Sequence, residues 1–306
     1  MILENGVEVE APVKNKIIGS YEGTNVKIVF NGEGNILFLD EEVRMTNSTI
    51  SFMGDKALVF LSRNTKNVYH LKIDAWRETC VYFGEESYFN GILNLIISER
   101  QSFFAGNDCL FSFGIWIRTA DPHLIYDMNS MKRINMSESI LVGDHVWIGQ
   151  NALLLKGSRI GSGSIISAAS VLSHKKIESN SIYGGNPARR IKTNAFFLSN
   201  SAHNFTKEKT KASMSHRTYQ FIYAVDGQTI DFGNIEKLLS DAKNAEDRLE
   251  LLKTYIVSNK AHNRCASSSS RTVEIENKDQ ISNRKVTTFK TRSNKFLELI
   301  KMISRK

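Results

Sequence analysis

An aliphatic residue recurs at every sixth position between residues 142 and 172. The row consists of Val142, Ile148, Leu154, Ile160, Ile166 and Leu172. This period fits neither an α-helix nor an ordinary strand. Four positions after each of the first five comes a smaller residue: Val146, Ala152, Ser158, Ser164 and Ser170. Three short strands of about six residues each would place one aliphatic side chain inside every side of a triangular coil, so the pattern predicts a parallel β-helix.

The overall composition is that of an ordinary globular protein. The chain has 306 residues, of which 41% are hydrophobic and 24% charged, and this supply of apolar side chains is enough for a sizeable core. We find no run of about eighteen apolar residues, so no membrane span is expected, and the N-terminal residues lack the pattern of a signal peptide. Cys80, Cys109 and Cys265 are odd in number and far apart, which favours a reducing compartment and predicts a cytoplasmic protein.

The chain divides into three segments of different character. Residues 1–110 contain short apolar runs separated by Gly, Asn and Asp, which predict short strands leading into the β-helix. The six-residue spacing is irregular there, because Ser98 interrupts the row. Residues 111–195 contain the regular repeat, and we expect this part to be the catalytic region. Residues 196–306 are predicted to form a helical, basic extension.

The extension combines a helical pattern with a basic tail. Between residues 235 and 256, apolar side chains share one side of a helix: Leu238, Leu239, Ala242, Ala245, Leu249 and Leu252. Residues 271–306 hold ten Lys/Arg and four Asp/Glu, so +6 of the net charge of +8 lies there. This distribution weakens a nucleic-acid-binding interpretation. A basic tail could meet an anionic polymer or a membrane surface, but we favour a solvated appendage. Ser267–Ser270 is predicted to be a linker, and the amphipathic segment 296–303 is expected to pack on its own or a neighbouring subunit.

Two pairs of stretches give the sequence a family resemblance. VWIGQNALLLKGSRIGSGSIISAASVL, residues 146–172, followed by YGGNPARRIK, residues 183–192, resembles the hexapeptide-repeat acyltransferases over roughly residues 104–192. IRTADPHLIYD, residues 117–127, together with GDHVWIG, residues 143–149, is similar to the bacterial capsular polysaccharide O-acetyltransferases, in particular those that modify polysialic acid. The resemblance implies acetyl-coenzyme A as co-substrate and a homotrimer with active sites between subunits. The predicted fold class is mainly β: a left-handed parallel β-helix with an inserted loop and a C-terminal helical extension.

An interruption of the repeat predicts an inserted loop that carries His123. The positions that should continue the row match it poorly: Met136, Ser130 and Leu124. Functional groups are often presented on loops that leave a rigid scaffold, and Pro122 restricts how the chain enters this one. A histidine is suited to accept a hydroxyl proton near neutral pH. The family's catalytic base occupies this position, so the resemblance implies that His123 is the general base.

Trp147 is the second candidate catalytic residue. By resemblance it helps form the oxyanion site through its main-chain N–H or its ring, and packing on the outside of the coil is the alternative. The spacing between His123 and Trp147 is compatible with stacking on successive coils. His145 lies two residues before Trp147 and would share its face, which favours a structural role and leaves an acceptor-side role open.

Further candidates for acceptor binding lie close to His123 in the sequence. Tyr126 and Asp127 follow it closely, and they would either orient the substrate or pack within the loop. Arg118 precedes the loop and could bind an acidic sugar. The complete set of candidate acceptor-binding residues is Arg118, Tyr126, Asp127 and His145.

The resemblance places coenzyme A in a groove between neighbouring β-helices. Its pantetheine arm would contact Gln150, Ala168 and Ser173. Where some relatives have a lysine after the Ser/Thr position, this chain has His174. Lys175, the next residue, is the expected replacement for that phosphate contact.

Basic residues after the GNPA turn would meet the nucleotide phosphates, because Arg and Lys form charge-assisted bonds to phosphate. The resemblance implies this role for Arg189 and Lys192, with Arg190 in reserve. Asn186 and Pro187 are expected to shape the turn.

Two rival functions compete with acetyl transfer. Carbonic-anhydrase-like β-helix enzymes bind zinc through three histidines, but each of His123, His145 and His174 is more than twenty residues from the next, and we expect no metal. A non-catalytic glycan-binding or scaffold module is the alternative. The preferred prediction is an acetyl-coenzyme-A-dependent O-acetyltransferase of a bacterial capsular polysaccharide, acting by direct attack in a ternary complex without a nucleic-acid partner.

Overall fold

The computed structural model describes residues 2–4 and 14–268, and its strands stack as a left-handed parallel β-helix with three sheets, one for each side of a triangular coil. In spatial order, the first sheet contains β1 (Ile2–Glu4), β3 (Tyr21–Phe30), β5 (Val43–Phe52), β7 (Leu71–Ala75), β10 (Leu93–Ile97), β13 (Trp116–Arg118), β16 (Leu153–Leu155) and β19 (Val171–Leu172). The second contains β2 (Lys16–Ile18), β4 (Ile36–Leu39), β6 (Leu58–Leu61), β8 (Cys80–Phe83), β11 (Ser102–Ala105), β14 (Ile140–Val142), β17 (Arg159–Ile160) and β20 (Lys176–Ile177). The third contains β22 (Arg189–Lys192), β21 (Ile182–Gly184), β18 (Ile165–Ile166), β15 (Trp147–Ile148), β12 (Leu110–Phe111) and β9 (Tyr88–Phe89).

The regular repeat forms narrow coils, and the predicted β-helix is confirmed. Ile148 lies opposite Ile166 and Leu154 opposite Leu172, so one coil takes 18 residues. The six aliphatic residues of the row are all fully buried: Val142, Ile148, Leu154, Ile160, Ile166 and Leu172. Stacked coils thus bury side chains that a single coil would leave exposed.

The coils before the inserted loop are wider. Phe89 lies opposite Phe111, 22 residues further along the chain. A 22-residue coil encloses more space than an 18-residue coil, and aromatic rings fill it. Phe83 lies at the centre, with ring centroids at 6.0 Å from Tyr69, 5.7 Å from Phe89, 5.3 Å from Phe103 and 5.9 Å from Phe111. These separations suit attractive aromatic pairs.

No break in the sheets falls at residue 110, where the sequence changes character. Strands from residues 16–110 and strands from residues 111–184 belong to the same three sheets, and their pairing is parallel throughout. The exceptions to parallel pairing are at the two ends, where β1 pairs antiparallel with β3 and β22 pairs antiparallel with β21. The irregular spacing upstream therefore reflects wider coils of the same solenoid.

The predicted inserted loop occupies residues 119–139, between β13 and β14. It leaves the coil at the corner between the first and second sheets. Because of it, Phe111 lies opposite Ile148, 37 residues further along, although both positions face the core of adjacent coils. The loop exposes seven large apolar side chains: Leu124, Ile125, Tyr126, Met128, Met131, Ile134 and Met136.

The C-terminal extension is helical, as predicted, but its helical pattern is divided. The helices are α1 (Lys207–Ala212), α2 (Phe232–Asp241), α3 (Ala245–Leu251) and a π-helical segment (Leu252–Val257). The pattern between residues 235 and 256 breaks at Ala242, whose backbone is extended, and the Asn244 side chain then caps α3 by accepting from the Asp247 N–H. The predicted apolar side is nonetheless buried: Leu238, Leu239, Ala242, Ala245, Leu249 and Leu252.

This apolar side packs on the outer face of the second sheet. An aromatic ladder runs down that face, with one ring per coil and centroid separations of 4.4–5.2 Å: Phe38, Phe60, Tyr82 and Phe104. The helices cover the ladder, so β4, β6, β8 and β11 are buried on both faces. Strands buried on both faces read as continuous apolar runs rather than as alternating ones.

Two buried arginines fasten the extension to the coil. Arg248 donates to the backbone carbonyls of Lys56, Leu239 and Ala242, and the first of these belongs to a wide coil. Arg264 forms an ion pair with Asp144 at 2.8 Å, with side chains only 3% and 10% exposed. Within residues 2–4 and 14–268, no helix is long and apolar enough to cross a membrane. The predicted basic tail 271–306, the amphipathic segment 296–303 and the end of the predicted serine linker lie outside the described residues.

Candidate active site

His123 projects from the inserted loop, and its peptide is clasped by one side chain. The imidazole is exposed and makes no hydrogen bond within the part of the chain that the structure describes. Asn135 is 6% exposed. Its Nδ2 donates to the His123 carbonyl at 2.8 Å and to the Asp121 carboxylate at 3.1 Å, and its Oδ1 accepts from the Ile125 N–H at 2.9 Å. The loop therefore presents a free imidazole on a well-held backbone.

Two ion pairs tie the loop to the coil. Lys156 donates to Asp121, and this hydrogen bond is the main reason why the pKa of the Asp121 carboxyl is lowered. Arg133 makes a two-armed contact with Glu99, which also accepts from the Ser137 hydroxyl. These bonds lower the pKa of Glu99 to about 2. Both carboxylates thus stay ionised at neutral pH and hold the loop.

The candidate acceptor residues differ in what occupies their polar groups. The Asp127 carboxylate accepts from the backbone N–H of Ser130 at 2.7 Å and of Asn129 at 3.2 Å, so it holds a turn, and the Ser130 bond is the main reason why its pKa is lowered. Tyr126 is 55% exposed and remains open for contact. Arg118 has a buried Nε with no acceptor among the described residues.

The structure places Trp147 away from His123. Trp147 lies on the outer face of the third sheet, in register with Leu110 and Ile165, whereas the His123 loop leaves at another corner. Within one chain the two residues therefore lie on different sides of the coil, and their proximity in an active site remains a prediction. The Trp147 N–H donates to the Ser164 carbonyl at 3.0 Å as part of the coil ladder, so it cannot also serve as an oxyanion donor. The indole is 37% exposed, and its Nε1 donates to the Ser112 hydroxyl at 3.3 Å, so the exposed ring surface is what remains open for contact.

His145 is closed off from any substrate. The imidazole is 2% exposed and is stacked between the rings of Phe197 and Phe221, with both centroid distances at 4.1 Å. Its Nδ1 lies 2.7 Å from an Asp108 carboxylate oxygen, and its Nε2 lies 3.0 Å from the Phe197 carbonyl. The geometry does not support His145 as an acceptor-binding residue and favours the structural alternative.

Four candidate coenzyme A residues lie along one edge of the coil. Gln150 follows β15 and Ala168 follows β18, both exposed at the corner between the third and first sheets. A Cβ on Gly149 would lie 2.6 Å from the Ala168 nitrogen, so only glycine permits this close stacking. Arg189 and Lys192 are exposed on β22, at the end of the third sheet.

The GNPA turn continues that corner. The Val171 N–H donates to the Gly185 carbonyl at 3.0 Å, and the Ala188 N–H donates to the Val171 carbonyl at 2.9 Å. The bond between Asn186 and Pro187 in this turn is cis. The turn is thus hydrogen-bonded to Val171, the first residue of β19, and the exposed Arg189 and Lys192 come after it on β22.

Ser173 and Lys175 lie one side of the coil away. They follow β19, at the corner between the first and second sheets. His174 Nδ1 lies 2.9 Å from the Ser173 hydroxyl, and its Nε2 lies 2.9 Å from a Glu138 carboxylate oxygen at the end of the inserted loop. Arg190 is paired with Glu178 at 2.8 Å, so the reserve cation is already engaged.

Metal binding and cysteine chemistry were also considered for the described ranges. These ranges contain no group of three or more His, Cys, Asp or Glu side chains that could hold a metal ion. Cys80, Cys109 and Cys265 are buried, and burial raises the pKa of each thiol, to about 12 for Cys80. A buried thiol with a raised pKa is a poor nucleophile.

Some residues around the site could not be recognised from the sequence. Asn135, Lys156 and Glu99 hold the loop, yet none belongs to a recognisable motif. Asp121, which directly precedes Pro122 and His123, was the available signal for Lys156, because a carboxylate beside a candidate base invites a search for its cation.

Comparison with known proteins agrees with this architecture. No family model matches the sequence. A polysialic acid O-acetyltransferase from Neisseria meningitidis is 26% identical over 114 residues, which is 37% of this chain and 52% of that protein, so the match spans about half the length of the curated relative. The crystal structure of the polysialic-acid-specific acetyltransferase NeuO matches with 26% identity and a TM-score of 0.56, covering 65% of this chain and 95% of NeuO. The polysialic acid O-acetyltransferase OatWY shares the fold, with 21% identity, a TM-score of 0.53 and coverage of 62% and 96%.

The stacked six-residue repeats, the inserted histidine loop and these matches define the class. They make the chain similar to the hexapeptide-repeat acyltransferases in sequence and in fold. Within that family, it is similar to the polysialic acid O-acetyltransferases.

Proposed function

We propose that this chain transfers the acetyl group of acetyl-coenzyme A to a sugar hydroxyl of an anionic bacterial capsular polysaccharide, and that it does so in the cytoplasm, where acetyl-coenzyme A is made. The observation that carries the proposal is the exposed imidazole of His123 on a loop fastened to a hexapeptide-repeat coil. The similarity to polysialic acid O-acetyltransferases supports both the reaction and the acceptor class.

His123 would act as general base and then as general acid. It takes the proton of the acceptor hydroxyl while the oxygen attacks the thioester carbonyl carbon, so that a C–O bond forms and a tetrahedral oxyanion results. Collapse of that oxyanion breaks the C–S bond, and the imidazolium returns its proton to the departing thiolate. No acyl-enzyme is needed, and the buried thiols of this chain favour direct attack over a covalent cysteine step.

Arg118 is the proposed anchor for the acceptor's negative charge. Its Nε is buried without a partner in the described part of the chain, and a buried donor without an acceptor is costly. A sugar carboxylate would satisfy it with a charge-assisted bond. Arg118→Met should raise KM for an anionic acceptor, whereas Arg189→Met should raise KM for acetyl-coenzyme A.

The proposed assembly is a homotrimer that completes each site. Seven large apolar side chains exposed on one short loop favour burial against another surface. If each copy lays its loop on the wall of the next, His123 of one copy can meet Trp147 of another. A head-to-tail contact that closes after three copies forms a ring. In such a ring, the corner of one copy with Gln150 and Ala168 would face the corner of the next copy with Ser173 and Lys175.

Light scattering tests the assembly. Met128→Glu and Met131→Glu should reduce the trimer to monomers, while Met214→Glu, at a residue 83% exposed outside the loop, should not. A wild-type protein that is monomeric at micromolar concentration refutes the proposed assembly.

The reaction itself is tested with labelled acetyl-coenzyme A and a panel of purified capsular polysaccharides that includes polysialic acid. We expect radioactivity in an anionic polymer and an O-acetyl ester located by NMR. His123→Ala should reduce transfer by roughly 10²- to 10⁴-fold, the usual contribution of a general base. His203→Ala is the matched control, because His203 is exposed far from the loop.

Two results would reject the proposal. Turnover that survives in His123→Ala would remove the assigned base. Salt-sensitive binding of the polysaccharide without any acetyl transfer would instead favour the non-catalytic glycan-binding module.

A further inference from the structure

The inserted loop contains a buried polar relay that ends on the peptide of His123. Asn135 uses its whole amide: Nδ2 donates to the His123 carbonyl and to Asp121, while Oδ1 accepts from the Ile125 N–H and from Arg133 Nε at 3.2 Å. The bonds to the His123 carbonyl and to the Ile125 N–H hold the backbone on both sides of Leu124. The buried Asn135 amide thus donates two hydrogen bonds and accepts two. Because any other arrangement of the loop would break some of these bonds, they favour a single conformation of the backbone around it.

The relay is fastened to the coil by Lys156. This lysine directly follows β16, and its side chain is 11% exposed. Its ammonium donates to the same Asp121 oxygen that Asn135 contacts. A largely buried ammonium is costly unless it is paired, so the Asp121 carboxylate is held where Lys156 places it. A coil residue thereby sets the position of a loop carboxylate, and that carboxylate helps to set Asn135.

We propose that Lys156 and Asn135, acting through Asp121, are positioning residues for His123: they fix the backbone that aims its imidazole at the acceptor hydroxyl. The inference rests on the proposed function, because it assigns a purpose to the loop only if His123 is the base. None of the three residues needs to touch substrate. A displacement of about 1 Å at a reacting group can cost on the order of 100-fold in rate, so a small shift of this peptide is sufficient.

The loop offers a second tether for comparison. Arg133 and Ser137 bind Glu99, which makes no direct hydrogen bond to Asn135 or Asp121 among the described residues. Arg133 itself donates to Oδ1 and to the backbone carbonyl of Asn135, so Glu99 reaches Asn135 only through Arg133. Glu99→Gln therefore loosens the loop without removing the bonds to the His123 peptide. It separates the effect of general loop attachment from the effect of aiming the base.

The kinetic test uses the full-length enzyme with acetyl-coenzyme A and its acceptor. Lys156→Met and Asn135→Ala should lower kcat by about 10- to 100-fold while KM for acetyl-coenzyme A changes less than about threefold. Lys156→Arg, which keeps the positive charge, should recover most of the lost kcat. Lys237→Met, at an exposed lysine on α2, should leave kcat unchanged. Glu99→Gln should lower kcat much less than Asn135→Ala.

Hydrogen exchange of the Ile125 amide provides a readout that does not depend on activity. Its N–H donates to Asn135 Oδ1, so exchange should accelerate in Asn135→Ala and in Lys156→Met but not in Lys237→Met. Circular dichroism establishes that each variant is folded. If Lys156→Met does not fold, Asn135→Ala and Asp121→Asn carry the same test.

The outcomes separate the two proposals. Faster exchange with unchanged kcat, while His123→Ala is inactive, overturns the positioning role and leaves the proposed function standing. Full turnover in His123→Ala overturns the proposed function and, with it, this inference. Reduced kcat in Lys156→Met that Lys156→Arg restores, together with faster Ile125 exchange, supports it.

Discussion

The coils before and after the inserted loop share three sheets but differ in width and in filling. Phe89 and Phe111 are separated by 22 residues on adjacent wide coils, whereas Ile148 and Ile166 are separated by 18 on narrow ones. The core of the wide coils combines aromatic rings with aliphatic side chains, whereas the buried core of the narrow coils contains Val, Ile, Leu and Ala. Coil length therefore sets the cross-section, and the cross-section selects the size of the side chain inside.

The two halves also differ in what covers them. Helices of the extension lie on the second sheet, over the aromatic ladder that begins at Phe38 and ends at Phe104. Most of the candidate site residues lie on the inserted loop and the narrow coils beyond it. The wide half thus carries most of the helical cover, while the narrow half and the loop carry most of the candidate site residues.

Removal of the central ring of the wide half should have the largest effect. Phe83→Ala leaves a cavity among four aromatic rings and should lower the free energy of unfolding by about 3–5 kcal/mol. Urea denaturation followed by circular dichroism measures it. A loss below about 1 kcal/mol would mean that the wide coils are loosely packed and that coil width does not set the filling.

Loss of an arginine that joins the extension to a wide coil should come next. Arg248→Met removes hydrogen bonds to three backbone carbonyls, two of them buried, and should cost about 2–3 kcal/mol. Arg190→Met, at an exposed pair on the narrow half, should cost at most about 0.5 kcal/mol in the same urea assay. Equal losses would show that the extension does not support the wide half.

A large ring should not fit the narrow half. Ile148→Phe extends the row of Phe89 and Phe111 by one coil and should cost about 1–2 kcal/mol through overpacking. Ile148→Leu conserves volume and should cost less. If Ile148→Phe instead stabilised the protein in thermal denaturation, the two halves would have the same capacity.

The smallest expected effect is the pH dependence of the inserted loop, which lies between the wide and the narrow coils. The folded-state pKa of Glu99, about 2, lies below its ordinary value, so the contribution of the Arg133 pair is complete above about pH 4.5 and is lost as the pH falls through about 2. Amide chemical shifts of residues 119–139 should differ between wild type and Glu99→Gln at pH 7 and at pH 5. A difference already lost at pH 5 would contradict this assignment.

The difference between narrow and wide coils also explains how much of the fold could be predicted from the sequence. The narrow coils have three nearly equal sides with one inward residue each, so a period of six is visible in the sequence. The strands of the wide coils differ in length, from two residues in β9 to ten in β3. Inward-facing residues therefore do not recur at every sixth position in this part of the sequence. Their 22-residue interval becomes visible only in the strand register.

The candidate site was predictable in part for a related reason. An interruption in a regular repeat indicated the loop and His123. Burial of His145 could not be foreseen, because Phe197 and Phe221 come from a later segment without any repeat. Lys156 meets Asp121 across 35 residues of sequence, and only the stacking of coils brings such pairs together.

The ion pair between Arg264 and Asp144 has a consequence for synthesis on the ribosome. A solenoid whose turns contact only their neighbours can fold progressively as it emerges. Here the outer face of the second sheet stays exposed until the helices and Arg264 have been translated. Arg264 follows its partner Asp144 by more than 100 residues. The nascent protein therefore exposes this aromatic surface until residues 232–264 have been made.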